Sequence, residues 1–172
     1  LFYMVEAERL DEEHYTATQG LGGIGVRRVY SDHLFAEAGI GFNSILATDA
    51  FGKRRFKYIA GVLRAEYDKR NSRVDATQGY FLNARVSPFL GLDDTDDGLQ
   101  VKLDGRIYHG LGGSDRLVLA GRAQLGSVIG PSLSNTAPTM LFFAGGAGSV
   151  RGHEYQSLGI PVGSNSAGGR GY

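Results

Sequence analysis

The side chains best suited to chemistry are few and scattered. Four histidines stand at 14, 33, 109 and 153, without the His-x-x-x-His or Glu-spaced pairing that a zinc site needs. The chain has no cysteine, which excludes a thiolate nucleophile, a disulfide framework and a Cys-based zinc centre. Serine, histidine and aspartate all occur, but nothing resembles a nucleophile elbow or a poised triad. The run Asp93-Asp94-Thr95-Asp96-Asp97 offers oxygens of the kind calcium takes. It lacks EF-hand spacing and reads better as a solvated loop. Gly20-Leu21-Gly22-Gly23-Ile24-Gly25 satisfies GxGxxG, whose chemistry requires a helix after the glycines to hold phosphate. Here Val26-Arg27-Arg28-Val29-Tyr30 continues as strand, so no nucleotide site is expected. The reading is of a protein that is not an enzyme, with no catalytic residue, metal or cofactor. One cation stands apart. Arg151 lies between Val150 and Gly152 in the stretch 141–159, which has neither helical nor strand periodicity. Phe142 and Phe143 anchor the start of that stretch, and its glycines permit tight backbone contacts.

Composition bounds what could position such a loop. The chain has 172 residues with equal numbers of acids and bases, enough for one domain. A balanced charge argues against a nucleic-acid partner, which would need an excess of cations. No run approaches the roughly 18 apolar residues of a membrane-spanning helix. Glycines number 27, with nine tyrosines and nine phenylalanines, and they are set among short alternating segments that favour an all-β fold.

The alternation is legible strand by strand. Leu1, Tyr3, Val5 and Ala7 oppose Glu6 and Glu8; the acidic run 11–13 makes a turn; 14–30 forms a second strand. Ser31-Asp32-His33 is a hairpin connection. Leu34, Ala36, Ala38, Ile40 and Phe42 then oppose Glu37 and Asn43, a polar turn is expected over 49–55, and 56–68 forms a fourth strand. Tyr80, Leu82, Ala84 and Val86 oppose Asn83, Arg85 and Ser87, with Pro88 expected at the strand end, where a missing donor does least harm. Leu99, Val101, Leu103 and Ile107 alternate with Lys102, Asp104 and Arg106. Leu117, Leu119, Ala123 and Leu125 oppose Arg116, Arg122 and Gln124. Seven strands of about ten residues are expected, joined as an up-and-down antiparallel meander. Residues 1–130 hold them, 131–167 form a long extracellular loop folding into the lumen, and 168–172 open the next strand. Short connections at 31–33, 70–79 and 112–115 fall at one end. Those at 11–14, 49–55, 90–98 and 131–167 fall at the other. A soluble barrel would bury apolar residues inside and turn charges outward. Here long charged groups share one face, which favours a transmembrane barrel with a polar lumen.

Two motifs carry a family resemblance. Phe-Ala-Gly-Gly, then Val150-Arg151-Gly152-His153, then Tyr155-Gln-Ser-Leu-Gly resembles the signature loop of the BamA/TamA superfamily of outer-membrane assembly factors, and leans toward the TamA branch. His153 stands where that family usually has Phe or Tyr. Phe142, Phe143, Gly145, Gly146 and Tyr155 act as loop anchors in this reading. Asp68-x-Arg70, followed by Thr77-x-Gly79-Tyr80, is similar to the family's periplasmic turn; Ala76 replaces a common proline. The resemblance implies part of a barrel of about sixteen strands, preceded elsewhere by periplasmic POTRA domains absent from this sequence. It implies a bacterial outer-membrane location and a factor helping insert β-barrel or autotransporter proteins. Partners would be outer-membrane lipid, unfolded client polypeptides and a periplasm-spanning protein. A transporter of the two-partner secretion type is the alternative within the superfamily; a porin or soluble ligand-binding barrel is the alternative outside it. The arginine of the loop tip needs a carboxylate partner in a low-dielectric lumen. In the family that acid lies on strands after the loop, so the partner is either missing from this sequence or replaced by a lumen carboxylate such as Glu37, Glu66 or Asp104.

Overall fold

A computed structural model describes residues 1–112, 117–146, 152–163 and 165–171. Seven strands form one antiparallel sheet in sequence order, β1 (Phe2–Asp11), β2 (Thr16–Ser31), β3 (Leu34–Asp49), β4 (Gly52–Asp68), β5 (Gly79–Leu92), β6 (Gly98–Leu111) and β7 (Leu117–Ile129). Each pairs with its chain neighbour, so the connections alternate between two rims. The sheet is all-β and up-and-down as the alternation requires, and it is open rather than closed on itself.

The strands are longer than the ten residues expected, reaching 16 in β2 and β3 and 17 in β4. The difference comes from reading polar residues as turns. Lys53, Arg54 and Arg55 lie within β4, opposite Thr48, Ala47 and Leu46 of β3, and Asp49 is joined to Gly52 by Ala50 and Phe51 alone. Asp49 tightens that hairpin by accepting from the Phe51 amide at 2.9 Å and binding the Arg54 guanidinium. Pro88 is also not at a strand end. β5 continues to Leu92, and the β4–β5 ladder is interrupted between Leu63/Val86 and Ala60/Phe89. Proline has no donor for the ladder, and Gly61 opposite leaves room for its ring. The GxGxxG segment is paired on both sides within β2, with no helix after it.

Period-2 alternation gives the sheet two unlike faces. The convex face exposes large apolar side chains, among them Ile24, Ile40, Leu63, Leu82, Leu119 and Leu125. Leu103 and Ile107 stand on it too, 42% and 62% exposed. The concave face carries Lys102, Asp104 and Arg106, with ion pairs running from strand to strand. Its buried apolar cluster sits toward the rim that holds the 131–171 segment. That segment is more ordered than an unpatterned loop. It contains a 3-10 turn (Pro138–Met140) and a short hairpin of β8 (Ile160–Val162) with β9 (Asn165–Ala167). Gly171 bridges Ser127, and the Val128 amide donates to Arg170 O at 2.6 Å.

Candidate functional site: a loop docked on the concave face

Three residues of the long segment complete the apolar cluster. Ala137, Met140 and Phe142 pack with Ala17, Ile45, Ala47, Phe56, Tyr58, Phe89 and Val128, which point inward from β2, β3, β4, β5 and β7. Thr136 is 1% exposed and its hydroxyl donates to Ser132 O at 2.7 Å, closing the turn that delivers them. The wall holds the backbone as well: Gln100 donates to Met140 O at 2.8 Å, and the Lys102 ammonium sits 5.5 Å from the Phe142 ring. Phe142 also pairs with Gly169 through two backbone hydrogen bonds of 2.9 and 2.7 Å.

The segment leaves the sheet at β7 and reaches as far as the β1–β2 connection. Phe143 stacks on His14 and Tyr15, with ring centroids 5.6 and 5.9 Å apart. Gln156 donates to Glu12 at 3.2 Å, and the His14 ring nitrogen lies 2.9 Å from Gln156 O. Burial pushes the Tyr15 phenol up to about 12, assisted by the negative charge of Glu12. A neutral phenol is what a half-desolvated site between loop and wall favours. The docking therefore combines apolar burial near β7 with polar contacts near β1.

Toward its tip the loop folds on itself. Ala144 bridges Leu158, and the Gly146 amide donates to His153 O at 3.0 Å. Gly145 has φ +119°, and a side chain there would collide with Glu154 O, so the sharp turn requires glycine. Gly152, His153 and Tyr155 are exposed; the Tyr155 hydroxyl receives a hydrogen bond from Gln156 at 3.1 Å. Val150 and Arg151 lie outside the described residues.

Each candidate carboxylate of the wall is already held by wall cations. Glu37 binds Arg27 and, at 3.5 Å, Arg64. Glu66 accepts from Arg64 at 2.6 Å and from Asn83 at 3.0 Å. Asp104 binds Arg106 at 2.7 Å and Arg122 at 3.0 Å. Carboxylates with two donors each gain the charge-assisted bonds that offset their partial burial. Arg85 and Lys102 face each other across β5 and β6 without a carboxylate partner among the described residues. The aspartates of 93–97 do not converge. Asp93 binds Lys57, Asp96 accepts from Asn135, and Asp97 accepts from the Gly91 amide. The Lys57 ammonium holds the Asp93 carboxyl below its ordinary value.

At the opposite rim the second motif builds a clasp. Asp68 accepts two hydrogen bonds of 2.9 Å from the Arg70 guanidinium and another from its amide. That partnership raises the Arg70 pKa further, so its charge is fixed. The guanidinium covers the Phe81 ring at 4.9 Å. Asn71 and Thr77 exchange side-chain and backbone hydrogen bonds across the loop. Gly79, at φ +100°, lets Lys69 O approach so closely that any Cβ would collide with it. Tyr80 stacks on Tyr67 at 5.6 Å on the convex face. These residues rigidify a connection, and nothing there is arranged to react.

The structure thus brings Phe142 and Phe143 to the wall and the turn motif together, while Glu37, Glu66 and Asp104 serve wall cations. Reading the sequence missed His14, Tyr15, Gln100 and Gln156 as docking residues. The signal available was an aromatic pair, His14-Tyr15, directly after an acidic turn on the loop-bearing rim. A search of curated proteins finds no significant match. Residues 15–172 match the Omp85 superfamily domain, nearly the whole chain, and the strand order, the two unlike faces and the inward-docked loop all suit such a barrel wall: the chain belongs to the Omp85 superfamily.

Proposed function

We propose that this chain forms part of the wall and the loop latch of an outer-membrane factor of the TamA type, which inserts β-barrel or autotransporter proteins. Omp85 proteins as a group insert or secrete polypeptides at the bacterial outer membrane. The observation that carries the membrane part is the bare convex face. Ile24, Ile40, Leu63, Leu82, Ile107, Leu119 and Leu125 are all more than half exposed, a contiguous apolar surface far larger than a water-soluble monomer tolerates. Lipid is the solvent that makes it stable, and the polar concave face then lines a lumen. In this reading the loop latch stiffens the wall while client strands add elsewhere by edge pairing. A secretion role would require the loop to leave the lumen, and its packing against inward residues of five strands weighs against that as the resting arrangement.

Arg151 is the loop-tip cation in this scheme, bound by carboxylate in the lumen. The test uses the full-length protein in native-like membranes, with client insertion and loop proteolysis read together. Arg151→Ala is expected to lower insertion severalfold and expose the loop to protease while the strands stay folded. Losing one partner of a buried pair costs about 3–5 kcal/mol. Lysine is expected to restore only part, since it lacks the planar two-pronged donor. Wild-type insertion and protection in Arg151→Ala would reject the latch.

A further inference from the structure

The convex face is not uniformly apolar. On β4, the outward residues from Ile59 to Tyr67 are Ile59, Gly61, Leu63, Ala65 and Tyr67, but beyond Ile59 the outward positions are Lys57, Arg55 and Lys53. The register fixes their direction. Arg54, Phe56 and Tyr58 between them point inward, and the three cations stand opposite Thr48, Leu46 and Ser44 of β3. Arg54 has its own carboxylate, Asp49, and lies between the Phe51 and Phe56 rings at 5.1 and 5.0 Å. The outward cations are treated differently. Lys57 is paired with Asp93 at 2.9 Å, and Arg55 also acts on the Asp93 carboxyl through its charge, while Lys53 and Arg55 are exposed and form no ion pair of their own among the described residues.

We propose that Lys53, Arg55 and Lys57 form a binding stripe for the phosphorylated headgroup of a membrane glycolipid on the loop-bearing rim. The proposal rests on the convex face being the lipid face. The nine residues from Ile59 to Tyr67 span about 27 Å along the strand, or ~20 Å of bilayer at the usual tilt, close to the apolar band of such barrels. Lys57, Arg55 and Lys53 therefore emerge at headgroup height, one above another at intervals of ~7 Å. Phosphates directly above acyl chains are the order of groups that a lipid presents, and a soluble anion does not. Ammonium and guanidinium groups suit phosphate, and the hydroxyls of Ser44 and Thr48 stand beside them as further donors. The opposite rim is built otherwise. There the convex side chains include Tyr30, Tyr67 and Tyr80 beside Leu111 and Leu117, and Arg28 lies 5.1 Å over the Tyr30 ring.

The test is a lipid titration of the full-length protein and of the variant K53Q/R55Q, with R28Q as the other-rim control. Insertion into phosphatidylcholine vesicles is scored first by protease protection. Failure of the wild type to insert refutes the barrel reading and this proposal with it, whereas insertion with a negative lipid result refutes the proposal alone. The probes are bisphosphorylated lipid A, its dephosphorylated form, phosphatidylglycerol, and inorganic phosphate as competitor. The expected result is preferential binding of phosphorylated lipid A, weakened about tenfold in K53Q/R55Q and unchanged in R28Q, with inorganic phosphate a poor competitor. Equal binding by wild type and K53Q/R55Q, equal loss in R28Q, or ready displacement by inorganic phosphate would each overturn it.

Discussion

The two faces of the sheet are made by alternate residues of the same strands, yet they solve opposite problems. Concave positions such as Glu66, Asp104, Arg106 and Arg122 are polar and held by one another or by Asn83. Their apolar members, Ile45, Phe56 and Phe89, are at most 4% exposed because the long segment covers them. Convex positions one residue away are apolar and uncovered. A soluble sheet would gain by exchanging the two sets, since apolar area is then removed from water. The difference teaches that the solvent of the convex face is not water, and that the core of this unit is a loop packed inside a wall.

Substitutions that confuse the faces should show this most sharply. Phe142→Ala, at the centre of the concave cluster, removes a side chain only 8% exposed. Buried aromatic truncations cost about 3–5 kcal/mol, and here the loss falls on the docking of the loop. Protease susceptibility of the 131–171 segment should rise by orders of magnitude in the full-length protein while strand content by circular dichroism holds. Unchanged protection would mean that the loop is held from β1 alone.

Leu103→Arg on the convex face should cost about 2–4 kcal/mol near the bilayer midplane. The adjacent concave change Lys102→Gln should cost far less, and the two are compared by urea unfolding in vesicles. Similar values for both would erase the distinction between faces.

The smallest effect concerns pH. Tyr15 has its phenol raised from 10.0 to about 12 by burial. Below pH 10 the phenol is neutral whether the loop is docked or free, and its contribution is fully present. Between pH 10 and about 12 the free form ionises first, so docking weakens as pH rises through that window. The chain has no cysteine, so a fluorophore on Ser157→Cys can report loop release. Release is expected to shift to higher pH in Tyr15→Phe; the same profile in both proteins would show that Tyr15 is not the titrating contact.

Much of the fold was legible because a period of two is a property of neighbouring residues. The shared face of Leu99, Val101, Leu103 and Ile107 follows from their spacing alone, without reference to a partner strand. Length was harder to read. Lys53 and Arg55 looked like turn residues, since a polar residue outside a lipid band resembles one in a loop. Pro88 looked like a strand end because its accommodation depends on Gly61, which lies on another strand.

The sequence by itself determined the seven-stranded meander, the polarity of each face and the two motif-bearing connections, because each follows from local alternation or turn chemistry. Tertiary structure decided what those pieces touch. Phe143 against His14, Gln156 against Glu12 and Gln100 beneath Met140 join positions 40 to 144 residues apart. Such contacts are set by sheet curvature and loop path, which no local pattern encodes. Tertiary structure also decided which wall donors gather around Glu37, Glu66 and Asp104. Alternation already sets Arg64 beside Glu66 and Arg106 beside Asp104, whereas cross-strand register adds Arg27 and Arg64 to Glu37, Asn83 to Glu66 and Arg122 to Asp104.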